Sequence, residues 1–161
     1  MSININDLLD LAKSRSATIS TAESCTGGMI AAALTDIPGS SAVVDRGFVT
    51  YSNAAKKEML GVQAATLEAH GAVSEEVARE MADGALLNAG TTLAISVTGI
   101  AGPGGSEFKP EGRVCFGLAQ RGHETRTELL DFGALGRDAV RRESRDHALG
   151  MLWQALGGET G

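Results

Sequence analysis

Ser24 lies in the turn Ala22-Glu23-Ser24-Cys25-Thr26-Gly27-Gly28, which follows a short β-branched run and opens a helical pattern. A serine at a strand-to-helix turn can sit beside backbone N–H groups, a setting suited to attack on an acyl carbon. The competing reading makes Ser24 a plain N-cap. Thr26 can cap in its place, which would release Ser24. Gly27 and Gly28 leave the backbone bare, so a substrate oxygen could approach the helix end. The pattern is not the G-x-S-x-G elbow, because Ala22 stands two residues before the serine.

A serine hydroxyl needs a base. The three histidines, His70, His123 and His147, show no triad setting, and His147 reads as a structural residue on the inner face of the last helix. A lysine can serve when desolvation disfavours its charged form. In Tyr51-Ser52-Asn53-Ala54-Ala55-Lys56, a strand end and a capped helix place Lys56 one turn inside, on the side of Tyr51. The competing reading is a solvated helix lysine. Lys57 faces elsewhere and is the natural control. Cys25 is a rival nucleophile, since a helix N-terminus can activate a thiol.

The second turn is Gly99-Ile100-Ala101-Gly102-Pro103-Gly104-Gly105. It lacks the lysine of a P-loop and the spacing of G-x-G-x-x-G. Its backbone amides could cradle a phosphate or complete an oxyanion hole. Arg137 and Arg141 stand one helical turn apart and could clamp an anion, or form a solvated face with Asp138 and Glu143. Acidic residues and histidines are too dispersed to suggest a metal site.

These residues need a frame to hold them. Hydrophobic residues are 43% and charged residues 21%, a globular balance that excludes disorder. At 161 residues the chain is expected to be a single domain, 1–161. A net charge of −6 argues against nucleic acid or an anionic membrane as partner. Two cysteines make neither a disulfide framework nor a zinc pattern. No signal peptide or membrane-spanning run is visible, so a cytoplasmic location is expected.

Periodicity predicts helices over 5–14, 26–35, 54–60, 74–89 and about 137–156. Strands are predicted over 17–21, 47–51, 93–98, 113–120 and 124–132, with Arg121-Gly122 as a hairpin turn. Pro38-Gly39-Ser40-Ser41 reads as a turn. Helices alternate with strands until the late hairpin, which predicts an α/β sandwich with a mixed sheet. Both glycine turns then fall at carboxyl ends of strands, where ligands bind in such sheets. Alanine-rich helices leave room for a homo-oligomer interface.

In register, the turn 22–28, the stretch Gly47-Phe48-Val49-Thr50-Tyr51-Ser52-Asn53 with Lys56, and the turn 99–105 resemble the CinA C-terminal domain. This is the PncC-type nicotinamide-nucleotide amidohydrolase family, and the resemblance runs over about residues 6–156. It implies a three-layer α/β/α domain that hydrolyses the carboxamide of nicotinamide mononucleotide to nicotinate mononucleotide and ammonia, without a cofactor. It implies Ser24 as nucleophile, Lys56 as base and Tyr51 assisting; on that mechanism, backbone N–H groups around Thr26, Gly27 and Gly28 are expected to stabilise the oxyanion. Gly99, Ala101 and Gly102 become candidates for holding the ribose phosphate, and Arg137 and Arg141 for substrate phosphate binding or site architecture. The length leaves no room for the larger N-terminal domain of many relatives, so no activity attached to that domain is expected. Ser106-Glu107-Phe108-Lys109-Pro110 replaces the family's Thr-Pro-Glu-Lys-Pro-like stretch, which bears on substrate preference. Two alternatives stay open: a non-catalytic nucleotide-binding regulatory module, and an amidase for another pyridine amide.

Overall fold

A computed structural model of the chain describes residues 3–106 and 108–159. Five strands, β1 (Ile19–Glu23), β2 (Val44–Val49), β3 (Leu93–Gly99), β4 (Arg113–Gln120) and β5 (Arg126–Asp131), form one sheet in the order β2-β1-β3-β4-β5. β1 pairs parallel with β2 and β3, whereas β3-β4-β5 is antiparallel. The helices are α1 (Ile5–Ser14), α2 (Met29–Thr35), α3 (Asn53–Leu60), α4 (Ala64–His70), α5 (Glu75–Ala89) and α6 (Arg137–Ala155). The chain thus forms the expected α/β/α sandwich around a mixed sheet.

The period-2 alternation of the strands divides the two faces by side-chain size. Ile19, Ile95, Val97 and Phe116 enter one core with Leu8 of α1, Ile30 and Leu34 of α2, and Val140 and Leu152 of α6. The opposite face presents small residues, Ala22, Ala94 and Ala119, to Val77, Met81 and Ala85 of α5. Small residues let α5 lie close. The Ser96 hydroxyl donates to the Ala78 carbonyl at 2.6 Å, and a Cβ at Gly117 would strike that same carbonyl.

α5 also presses on α3. A Cβ built at Gly84 would collide with the backbone carbonyl of Leu60, the last residue of α3. Gly84→Ala is therefore expected to cost about 1–3 kcal/mol through overpacking, read as a lowered midpoint in denaturant unfolding. An unchanged midpoint would show that the two helices separate freely.

Several boundaries differ from the sequence expectation. β1 runs 19–23 rather than 17–21, because Thr18 instead exchanges bonds with Thr92. β2 ends at Val49, and Thr50 turns away with its amide on the Glu23 carbonyl at 2.8 Å. α2 begins at Met29 rather than at residue 26, since Gly27 and Gly28 take φ values of +58° and +108°. A short 3-10 turn occupies Ser40–Ala42. α4 has no sequence forerunner, for it buries none of its residues and so carries no apolar stripe.

The connection from β1 to β2 runs through α2 on one face, and that from β2 to β3 through α3, α4 and α5 on the other. β1 is accordingly the strand where the topology switches sides, and a crevice opens at its carboxyl end.

Candidate active site

Ser24 is the first residue beyond β1. Its amide donates to the Val97 carbonyl at 3.0 Å, and its carbonyl accepts from Gly27 N at 3.1 Å, which closes a tight turn. Alternation along the strand places Ala22 toward α5 and Glu23 toward α2. One further step brings Ser24 to the side where α3 lies. Ser52 caps α3 by accepting from Ala55 N at 3.0 Å, which sets Lys56 in the first turn.

Lys56 is 1% exposed, and its Nζ donates to Ser24 Oγ at 3.0 Å and to the Thr50 carbonyl at 2.8 Å. The structure thus brings Ser24 and Lys56 into hydrogen-bond contact, while Lys57 is exposed. The carbonyl fixes the ammonium or amine against the hydroxyl. Ser24 itself is 8% exposed and opens into a cavity of about 330 Å³. Gly99, Ala101 and Gly102 line the same cavity. A larger cavity of about 530 Å³ lies among Arg15, Leu93 and Leu156, at the opposite end of the sheet, and holds none of the candidate catalytic or substrate-binding residues.

The two arginines part company. Arg137 donates to the Gly102 carbonyl and to the Tyr51 hydroxyl, both at 2.8 Å, and bridges the cavity rim. Tyr51 is 62% exposed with its hydroxyl engaged there, so it joins Arg137 instead of the Lys56 amine. Arg141 does not line the cavity. Its guanidinium donates to the carbonyls of Cys25 at 3.0 Å and Thr26 at 3.3 Å, which ties α6 to the first turn. Of the two roles open to the pair, Arg137 stands at the rim where an anion could bind, and Arg141 serves the site's architecture by holding the turn.

Thr26, Gly27 and Gly28 are also absent from the cavity wall. Neither Ser24 nor Thr26 caps α2: Gly28 is the N-cap residue, and it has no side chain to offer. The cap comes from Glu23, which sequence reasoning passed over. Glu23 is 0% exposed, and its carboxylate accepts from Thr26 Oγ1, Ile30 N and Ala31 N at 2.6, 2.9 and 3.0 Å. An acidic residue ending an apolar strand was the available signal.

Cys25 is 5% exposed. Burial pushes its thiol up to about 12, reinforced by the Glu23 charge and opposed by Arg141 and Lys56. A thiol raised in this way stays protonated through the neutral range, which leaves little thiolate to act as nucleophile. Cys25→Ser is therefore expected to keep wild-type turnover, with slow inactivation by iodoacetamide up to pH 9. Rapid loss of turnover on alkylation at pH 8, or in Cys25→Ser, would contradict this.

The far end of the glycine-rich loop is pinned by Lys109, whose Nζ donates to the carbonyls of His70 at 2.5 Å and Val73 at 2.7 Å. Glu107 of this stretch lies outside the described residues. His147 is the structural residue expected, paired with Glu128 at 2.6 Å and packed on the Phe116 ring. Among the described residues no group of three His, Cys, Asp or Glu side chains could hold a metal ion. No helix among them is long and apolar enough to cross a membrane.

The family model described as the CinA C-terminal domain matches residues 4–156. The chain belongs to the CinA C-terminal domain family. This CinA domain is 56% identical over 143 residues to a protein of Escherichia coli strain K12 named nicotinamide-nucleotide amidohydrolase PncC, covering 88% of this chain and 86% of that one. It is also 56% identical over 144 residues to a CinA-like protein of Chlorobium phaeobacteroides, but it spans only 34% of that protein's length. Among solved structures, the competence/damage inducible protein CihA of Agrobacterium tumefaciens superposes with a TM-score of 0.86 at 47% identity, covering 98% of this chain and 99% of that one. A CinA superfamily protein of Klebsiella pneumoniae gives 0.89 at 38% identity, covering 96% and 99%.

Proposed function

We propose that this CinA domain hydrolyses the carboxamide of nicotinamide mononucleotide, giving nicotinate mononucleotide and ammonia. The 3.0 Å contact between Ser24 Oγ and Lys56 Nζ at a cavity wall carries the reading. The amidohydrolase name of the E. coli relative supports the reaction class.

In its neutral form Lys56 accepts the Ser24 proton, the role of a general base adjacent to a serine nucleophile. Ser24 Oγ then bonds to the carboxamide carbon. The carbonyl oxygen becomes an oxyanion, stabilised by backbone amides of the first turn. Of the first-turn residues only Ser24 and Cys25 line the cavity, and the Ser24 amide is already given to Val97, so the Cys25 amide replaces the expected span Thr26–Gly28 as donor. The Lys56 proton passes to the departing nitrogen, and the C–N bond breaks to release ammonia. Water, deprotonated by Lys56, cleaves the ester and restores Ser24. The ribose phosphate meets Arg137 and the backbone of Gly99, Ala101 and Gly102 at the rim.

The test is ammonia release from nicotinamide mononucleotide, with nicotinamide and its riboside as controls. Activity confined to the mononucleotide is the expected result. Equal activity on the riboside would remove the phosphate from recognition. Binding of the mononucleotide without ammonia release would make the domain a nucleotide-binding module instead.

A further inference from the structure

The N-terminus of α2 points its amides toward the first turn, the arrangement that elsewhere receives a substrate anion. Here the amides of Met29 to Ala32 are already committed. Met29 N donates to the Thr26 carbonyl at 3.1 Å, and Ala32 N to the Gly28 carbonyl at 2.9 Å. Ile30 N and Ala31 N, between them, donate to the two carboxylate oxygens of Glu23. The protein therefore supplies its own anion to this helix end.

We infer that Glu23 is a positioning residue for the Ser24 nucleophile, and that its carboxylate closes the α2 N-terminus to substrate. This inference rests on the amidohydrolase reading of Ser24 given above. Glu23 is held from both sides. Its backbone pairs with Val49 and Val97 in the sheet, and its carbonyl accepts from Thr50 N. Its side chain then reaches across the turn to α2 and to Thr26 Oγ1. Ser24 is the next residue, so the sheet and the helix fix its backbone through one side chain. The same residue's neighbour Thr50 offers the carbonyl that holds Lys56 Nζ. Both reacting groups are thus referenced to Glu23.

A buried carboxylate is tolerable because three charge-assisted hydrogen bonds and the positive end of the helix compensate it. Glutamine has the same shape but only one acceptor oxygen. Its amide nitrogen would face a backbone N–H, so one anchor is lost and a donor meets a donor.

The experiment compares wild type, Glu23→Gln and Thr26→Val at a temperature where circular dichroism shows each folded. Two readouts are taken: kcat and KM for ammonia release, and the rate at which phenylmethanesulfonyl fluoride labels Ser24, followed by mass spectrometry. Misplacing a reacting atom by about 1 Å costs on the order of 100-fold. Glu23→Gln is expected to lower kcat and the labelling rate by at least about tenfold with KM within about twofold of wild type. Thr26→Val, which removes one of the three bonds, should fall between, and it decides the matter if Glu23→Gln does not fold. Wild-type labelling and kcat in a folded variant would overturn the inference. So would a raised KM at unchanged kcat, which would place Glu23 in substrate binding. If wild type releases ammonia while its Ser24 resists labelling, the nucleophile assignment fails, and the positioning inference with it. Labelling of wild-type Ser24 without ammonia release would overturn the proposed reaction and leave the labelling comparison to judge Glu23.

Discussion

Ser24→Ala is expected to lower ammonia release from nicotinamide mononucleotide by at least about 10³-fold, since removing a nucleophile also idles its base. The loss should fall on kcat, with substrate binding little changed. The fold should persist, because the turn is closed by the backbone bonds of Ser24, from its amide to Val97 and from Gly27 to its carbonyl, and alanine keeps both. Isothermal titration of the variant with the mononucleotide, beside the ammonia assay, separates the two effects. Turnover within tenfold of wild type would reject serine catalysis.

Lys56→Met is the second large effect. Methionine keeps most of the buried volume and removes the amine. Loss of a general base costs about 10²–10⁴-fold. Its effect on stability should be small, because two contributions oppose each other. The Thr50 carbonyl loses its partner, a penalty of about 1–3 kcal/mol. Removing a buried ionisable group relieves a desolvation cost of similar size. Lys57→Met makes the same chemical change at an exposed position on the same helix and should leave turnover within about twofold. Equal losses at both positions would mean that helix damage, not the missing amine, explains the first.

Local rules made Ser24 and Lys56 candidates in the chain but left the cap and solvated-lysine readings open, and the family resemblance is what paired them. A strand end fixes the serine, and a serine cap fixes the lysine one turn into its helix. The mixed α/β/α sheet followed from the alternation of helical and strand periods. What stayed hidden is non-local. Glu23 reaches seven and eight residues ahead to cap α2, and Arg141 spans more than a hundred residues to hold the first turn. Spacing alone grouped Arg137 with Arg141 and Tyr51 with Lys56. The tertiary fold regroups them, joining Arg137 to Tyr51 and leaving Arg141 to the backbone. Thr26, which could have capped in place of Ser24, donates instead to the residue that caps. Such reassignments turn on carbonyls and carboxylates brought near by packing, which one-dimensional spacing does not encode.

The most direct measurement is peptide mapping of wild type quenched in acid during turnover of nicotinamide mononucleotide, paired with hydroxylamine trapping of any ester. The expected outcome is a nicotinate-mononucleotide ester on the Ser24 peptide and release of the matching hydroxamate. Continued turnover with an adduct on Cys25, or with neither adduct nor hydroxamate, would contradict the account.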